Sequence, residues 1–121
     1  MREVIYQTNV NKLGESVTEF LDQGMLILFK DNAPQELAEF CILHSENDLR
    51  GDIKVGDSFI IGEKAYAVTA VGSAVNENLE NLGHITLRFD SAEEAELPGT
   101  LSLENKDINQ VNIGDVIKVE R

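Results

Sequence analysis

The chain has 121 residues, enough for one hydrophobic core and too few for two ordinary domains. Its 42% hydrophobic and 26% charged residues exclude a disordered chain, and its longest apolar run, the five residues from Met25 to Phe29, is far short of a membrane span. Twenty-two acidic against ten basic residues give a net charge of −12, which repels nucleic-acid phosphates and anionic bilayers and favours a basic protein partner.

The N-terminal "MREVIYQTNV" lacks the apolar centre of a secretory signal, because Gln7, Thr8 and Asn9 interrupt it. A single cysteine, Cys41, excludes an intrachain disulfide, so a cytoplasmic location is expected. In chain order, "EVIYQTNV" is rich in β-branched and aromatic residues and predicts a strand. "GESVTEFLDQG" places Val17, Phe20 and Leu21 on one helical face, with Gly24 as its stop. "MLILFK" predicts a short buried strand. "NAPQELAEF" predicts a helix with Pro34 in its first turn and Leu37 beside Phe40 or Cys41.

"SFII" and "KAYAVTAV" flank Gly62-Glu63, which predicts a hairpin. "NENLENLG" offers Asn76 or Asn78 as a helix cap and Gly83 as terminator. "HITLRFD" alternates, with Ile85, Leu87 and Phe89 on one face and His84, Thr86, Arg88 and Asp90 on the other. "TLSLEN" and "DVIKVE" predict the last strands. The expected fold is mainly β, a compact barrel-like or sandwich domain with two or three short helices. "IKVGDSFII" and "VNIGDVIKV" echo each other, and two similar turns explain the echo more cheaply than a duplication.

Candidate chemistry centres on His44, which ends the apolar run "FCIL" and opens the polar stretch "SEND". In a strand it shares a face with Ile42, while Cys41 and Leu43 point the other way. Cys41 is then a small core hydrophobe and not the partner of His44. At the edge of a buried run, His44 is expected to be partly exposed and removable at little cost to the fold. His84 begins the alternating strand on its polar face with Arg88, a possible anion-binding residue. Gly72 and Ser73, in "AVGSAV", put a glycine next to a hydroxyl where backbone N–H groups could meet an anion. No zinc-type spacing, nucleophile elbow or nucleotide-phosphate loop occurs, so no cofactor or metal is expected.

The segments "FCILH", "YAVTAVGSAVNENLENLGHITLRFD" and "EAELPGT" resemble the glucitol/sorbitol-specific IIA component of the bacterial phosphoenolpyruvate-dependent sugar phosphotransferase system. The resemblance covers nearly the whole chain and implies a single IIA domain over residues 1–121. It implies that His44 becomes a phosphohistidine, loaded by the phosphocarrier protein HPr and unloaded to the IIB component of a IIB/IIC hexitol permease. Contact with the membrane complex would be peripheral, through that permease. The family's "LGH" histidine maps onto His84, for which no transfer role is implied. Some members carry a further histidine shortly after the active one, where Ser45 and Glu46 stand here. Without the resemblance, the residues fit a non-catalytic acidic β-domain that binds a protein.

Overall fold

The computed structural model describes residues 3–108 and 111–121. Among them lie β1 (Val4–Leu13), α1 (Val17–Asp22), β2 (Met25–Lys30), α2 (Gln35–Ala38), β3 (Ile42–His44), β4 (Asp48–Leu49), β5 (Ser58–Ile61), β6 (Lys64–Val71), α3 (Val75–Leu82), β7 (Ile85–Arg88), β8 (Thr100–Leu103) and β9 (Val116–Glu120). Eight strands close a barrel in the order β3-β2-β7-β8-β6-β5-β9-β1, with β1 pairing back onto β3. Closure leaves no open edge in the ring, which decides between barrel and sandwich. The short β4 pairs with β1 at Tyr6 and Gln7, before β3 takes over from Val10.

The apolar alternation of the strands builds the core. Ile85, Leu87 and Phe89 are buried, while Thr86 and Arg88 between them are half-buried. Leu26 and Leu28 of β2, Tyr6 and Val10 of β1, and Phe59 and Tyr66 of the hairpin join the same cluster. Helix α3 adds Val75 and Leu79 to it and ends at Gly83 in the left-handed conformation, φ +64°. Its N-cap is Ala74, not Asn76 or Asn78. Asn76 is drawn away because its side chain bonds the backbone N–H and carbonyl of Ile53. Helix α2 is shorter than expected, and Pro34 precedes it in an extended conformation, so only Gln35–Ala38 is helical.

The second half of the chain repeats the first. β1-α1-β2-β3-β5 corresponds to β6-α3-β7-β8-β9: β2 runs parallel to β3 as β7 does to β8. β2 pairs antiparallel with β7, and β5 with β9, so a pseudo-two-fold axis passes between each pair. Gly56 and Gly114 both have φ +95°, and their N–H groups bond Val68 and Val10 on the corresponding long strands. Asp57 and Asp115 accept from the backbone N–H three residues earlier, at 2.8 and 2.9 Å. The echo is therefore more than two similar turns. The turns dock in the same way because the strands and helices around them repeat.

Gly14 and Gly72 are also equivalent. Each N–H bonds a carbonyl at the neighbouring strand, that of Cys41 beside β3 or Thr100 of β8. A Cβ on Gly14 would run into the Glu39 carbonyl oxygen, and one on Gly72 into that of Pro98. Backbone cannot yield as a side-chain tip can. Gly14→Ala and Gly72→Ala should therefore each cost about 3 kcal/mol or more. Gly51→Ala, whose Cβ would meet only the Ile5 side chain at 3.8 Å, should stay within about 1 kcal/mol. Urea-unfolding midpoints of the three variants check this.

Candidate functional site

His44 is fully buried, at 0% exposure, and does not stand at the edge of the core as expected. β3 sits between β1 and β2, with His44 paired to Val10 on one side and Lys30 on the other. The alternation that buries Tyr6 and Val10 also turns Thr8 inward, and Thr8 is 0% exposed. Thr8 Oγ1 lies 2.9 Å from His44 Nδ1, and the Gly83 carbonyl oxygen lies 2.8 Å from Nε2.

These partners assign the proton. A carbonyl oxygen can only accept, so Nε2–H donates to Gly83. In the neutral ring Nδ1 then keeps its lone pair and accepts from the Thr8 hydroxyl. Thr8 in turn accepts from the Asn47 backbone N–H at 3.0 Å. Asn47 adopts φ +43°, and its side chain donates to the Leu79 carbonyl and accepts from the Tyr6 hydroxyl, both at 2.8 Å. The chain Asn47–Thr8–His44–Gly83 thus runs in one donor direction.

Burial lowers the His44 pKa below the ordinary 6.5, opposed by the bond to the Gly83 carbonyl and the nearby Asp31 charge, while Lys30 lowers it further. Burial therefore favours the neutral ring. Gly83 allows this proximity twice over. Its positive φ ends α3, and a Cβ there would stand 2.9 Å from His44 Cε1 and collide with the Lys30 stem.

His84 follows Gly83 immediately, so the fold brings both histidines to one place. Its Nδ1–H donates to the Leu28 carbonyl at 3.1 Å, and its ring lies against Phe29 with centroids 4.7 Å apart. On its outer side it lines a cavity of about 250 Å³ with Phe20, Ile27, Leu37, Phe40 and Cys41. Burial pushes the Cys41 thiol up to about 11, so it stays protonated, as suits a core hydrophobe. Ile42 is fully buried, and the exposed apolar side chains of this region include Leu37, Phe40 and Leu82.

Arg88 lies four residues along β7, about 13 Å from the His84 end at the usual strand rise. It is engaged by Asp90 at 3.7 Å and Glu96 at 3.5 Å. Gly72 and Ser73 precede α3 while Gly83 follows it, so the helix separates them from His44 by about 12 Å. They line a depression of about 400 Å³ shared with Glu93, Glu94 and Glu96, and the Gly72 N–H is bound to Thr100. Neither the carboxylates nor the occupied N–H suits an anion. Among the described residues, no group of three or more His, Cys, Asp or Glu side chains could hold a metal ion.

Sequence reasoning missed Thr8, Asn47, Lys30 and the Gly83 carbonyl. Only Thr8 carried a signal, since strand alternation puts it on the face of Tyr6 and Val10.

The same fold occurs in a solved structure of known class. The structure of a PTS system IIA component from Enterococcus faecalis V583 superimposes with a TM-score of 0.80 at 28% identity, covering 92% of this chain and 96% of that one. That places the chain in the structural class of phosphotransferase-system IIA components. The family model for the PTS system glucitol/sorbitol-specific IIA component matches residues 5–118. The glucitol/sorbitol-specific EIIA components of Shigella flexneri and Escherichia coli K12 are 44% and 43% identical, over 97% of this chain and 95% of each relative. The chain belongs to the glucitol/sorbitol-specific IIA family.

Because His44 is buried, its removal is not cheap. His44→Ala leaves the Gly83 carbonyl and Thr8 hydroxyl without their partner and opens a void, a loss of about 2–5 kcal/mol. His44→Gln, whose amide can still donate and accept, should lose less. The lowered pKa adds a pH signature. Above 6.5 the ring is neutral in both folded and unfolded chains. Below it the unfolded chain takes up the proton first, so this contribution to stability falls until the folded pKa is reached. Urea unfolding from pH 8 to 5 should show that loss in the wild type relative to His44→Gln.

Proposed function

We propose that the chain is a phosphoryl carrier in hexitol uptake, with His44 taking the phosphoryl group from phospho-HPr and giving it to the IIB component of a glucitol/sorbitol permease. The observation that carries this reading is the neutral ring whose Nε2–H is fixed on Gly83, leaving the Nδ1 lone pair as nucleophile. Nδ1 attacks phosphorus, the donor's P–N bond breaks, and its electron pair returns to the donor imidazole. The His44 ring keeps its Nε2 proton and becomes cationic. The Gly83 carbonyl and the negative end of α3 stabilise that charge. A IIB cysteine thiolate then displaces the ring, and Nδ1 recovers its lone pair. Nothing beyond positioning and charge is required of the protein.

The acceptor state needs movement, since Thr8 occupies the place of a phosphoryl group at Nδ1 and the ring is covered. The transfer takes place in the cytoplasm, where both protein partners meet a single domain spanning residues 1–121. That same burial favours a second reading, in which His44 is structural in a domain that binds protein without chemistry. Incubation with labelled phosphoenolpyruvate, enzyme I and HPr separates the two. Acid-labile, base-stable phosphate should appear on the wild type and be absent from folded His44→Gln. His84→Ala should slow labelling by no more than about tenfold, because its ring touches neither nitrogen of His44. Label on His44→Gln would overturn the assignment.

The net charge of −12 bears on the encounter. Rim charges steer association more than they hold a complex together. Screening shortens the field to about 8 Å at physiological ionic strength. Stopped-flow transfer from phospho-HPr should therefore be fastest at low salt and slow as salt rises, with the change in association rate. A flat or rising profile would assign the acidic surface to solubility alone.

A further inference from the structure

We infer that Lys30 is a catalytic residue of the transfer, its ammonium neutralising the phosphoryl oxygens carried on His44; the inference rests on the reading of His44 as acceptor.

The described residues include nine lysines and arginines. Arg50, Arg88, Lys106, Lys118 and Arg121 pair with carboxylates, and Lys64 donates to the Asp107 carbonyl. Lys12, Lys30 and Lys54 have no ion pair among the described residues. Lys12 and Lys54 are exposed, whereas Lys30 is half-buried and is the β2 residue paired with His44. In a chain with 22 carboxylates, a half-buried cation beside the candidate nucleophile has been left without one. Asp31, the nearest in sequence, is bonded instead by the Asn11 amide at 3.0 Å.

Gly83 shows where the lysine lies. The point that its Cβ would occupy is touched by Lys30 Cγ and lies 2.9 Å from His44 Cε1. The missing Cβ therefore leaves room for the lysine stem on the side of the ring that carries Cε1 and Nε2. From there a flexible four-carbon stem can bring its ammonium to a phosphoryl group on either nitrogen. No bond changes at Lys30, so the transfer balances as written above. Its charge also opposes protonation of the resting ring, which keeps the lone pair available. Arg88 does not compete for the role, being tied to Asp90 and Glu96 at the other end of β7.

The test compares Lys30→Met, which keeps the stem and removes the charge, with Lys30→Arg, which keeps the charge. Rapid-quench transfer from phospho-HPr should slow by about tenfold or more in Lys30→Met, the direction expected when a charge-stabilising group is lost. Lys30→Arg should remain within about threefold of wild type, since its guanidinium still pairs with phosphate oxygens. The His44 pKa in unphosphorylated Lys30→Met, read from its ring proton shifts, should rise. Wild-type transfer by Lys30→Met, or an equal loss in Lys30→Arg, overturns the proposal. His44→Gln, run in parallel, keeps the two ideas apart. If it is inert while Lys30→Met is fast, only the lysine role fails; if it is labelled, the carrier reading itself fails.

Discussion

The hydrogen bond from His44 Nε2 to the Gly83 carbonyl is the contact on which the site depends. It fixes the tautomer, and through the tautomer it leaves the lone pair on Nδ1, the atom proposed to attack. It also joins the two pseudo-symmetric halves, since His44 and Thr8 belong to the first and α3 with Gly83 to the second. A backbone carbonyl is a stiff partner because α3 holds it in place through the Gly83 N–H bond to Leu79. The absence of a Cβ at Gly83 lets helix end, ring and lysine stem occupy one small volume. Symmetry does not duplicate the chemistry. Where β1 carries Val10 opposite His44, the equivalent Val68 of β6 stands opposite Leu103, an apolar residue.

Much of the fold was legible because strand formation leaves a local trace. "HITLRFD" alternates with a period of two and is buried with the same period, and the Gly62-Glu63 turn joins β5 to β6 as its residues require. The helices around Val17, Gln35 and Val75 were marked by their apolar spacing and by Gly24 and Gly83. Closure into a barrel left no such trace. It depends on β1 meeting β3 about thirty residues later, and no local pattern records that pairing. The duplication was half visible, in two Gly-Asp turns, but the matching hydrogen bonds at Gly14 and Gly72 appear only in three dimensions.

The candidate site was legible in one residue and not in its surroundings. His44 stood out because it ends an apolar run in a chain with two histidines. Its exposure was misjudged because a polar stretch follows it, yet Asn47 folds that stretch back over Thr8 and helix α3. Arg88 and Lys30 show the same limit. Both are cations at the ends of strands, and only the positions of Asp90, Glu96 and Gly83 separate the one that is neutralised from the one that has no ion pair among the described residues.

If His44 is the acceptor proposed above, it must hold its phosphoryl group without trapping it, and the buried resting ring bears on that balance. With both nitrogens bonded and no solvent contact, the unphosphorylated state gains stability that a phosphorylated ring cannot keep in full. Giving up the Thr8 bond and exposing the ring costs about 1–3 kcal/mol on the scale of a buried polar group losing its partner. By linkage that cost raises the tendency of the phosphorylated form to hand the group on, because release lets the ring return to its bonds. On the proposed roles, a cationic ring on the Gly83 carbonyl and an ammonium at Lys30 would work in the opposite sense and lower the energy of the loaded state. The transfer potential of such a site is thus a difference between two sets of contacts around one imidazole. It can be shifted toward donor or acceptor by residues, such as Thr8 and Lys30, that never form a covalent bond with the group being moved.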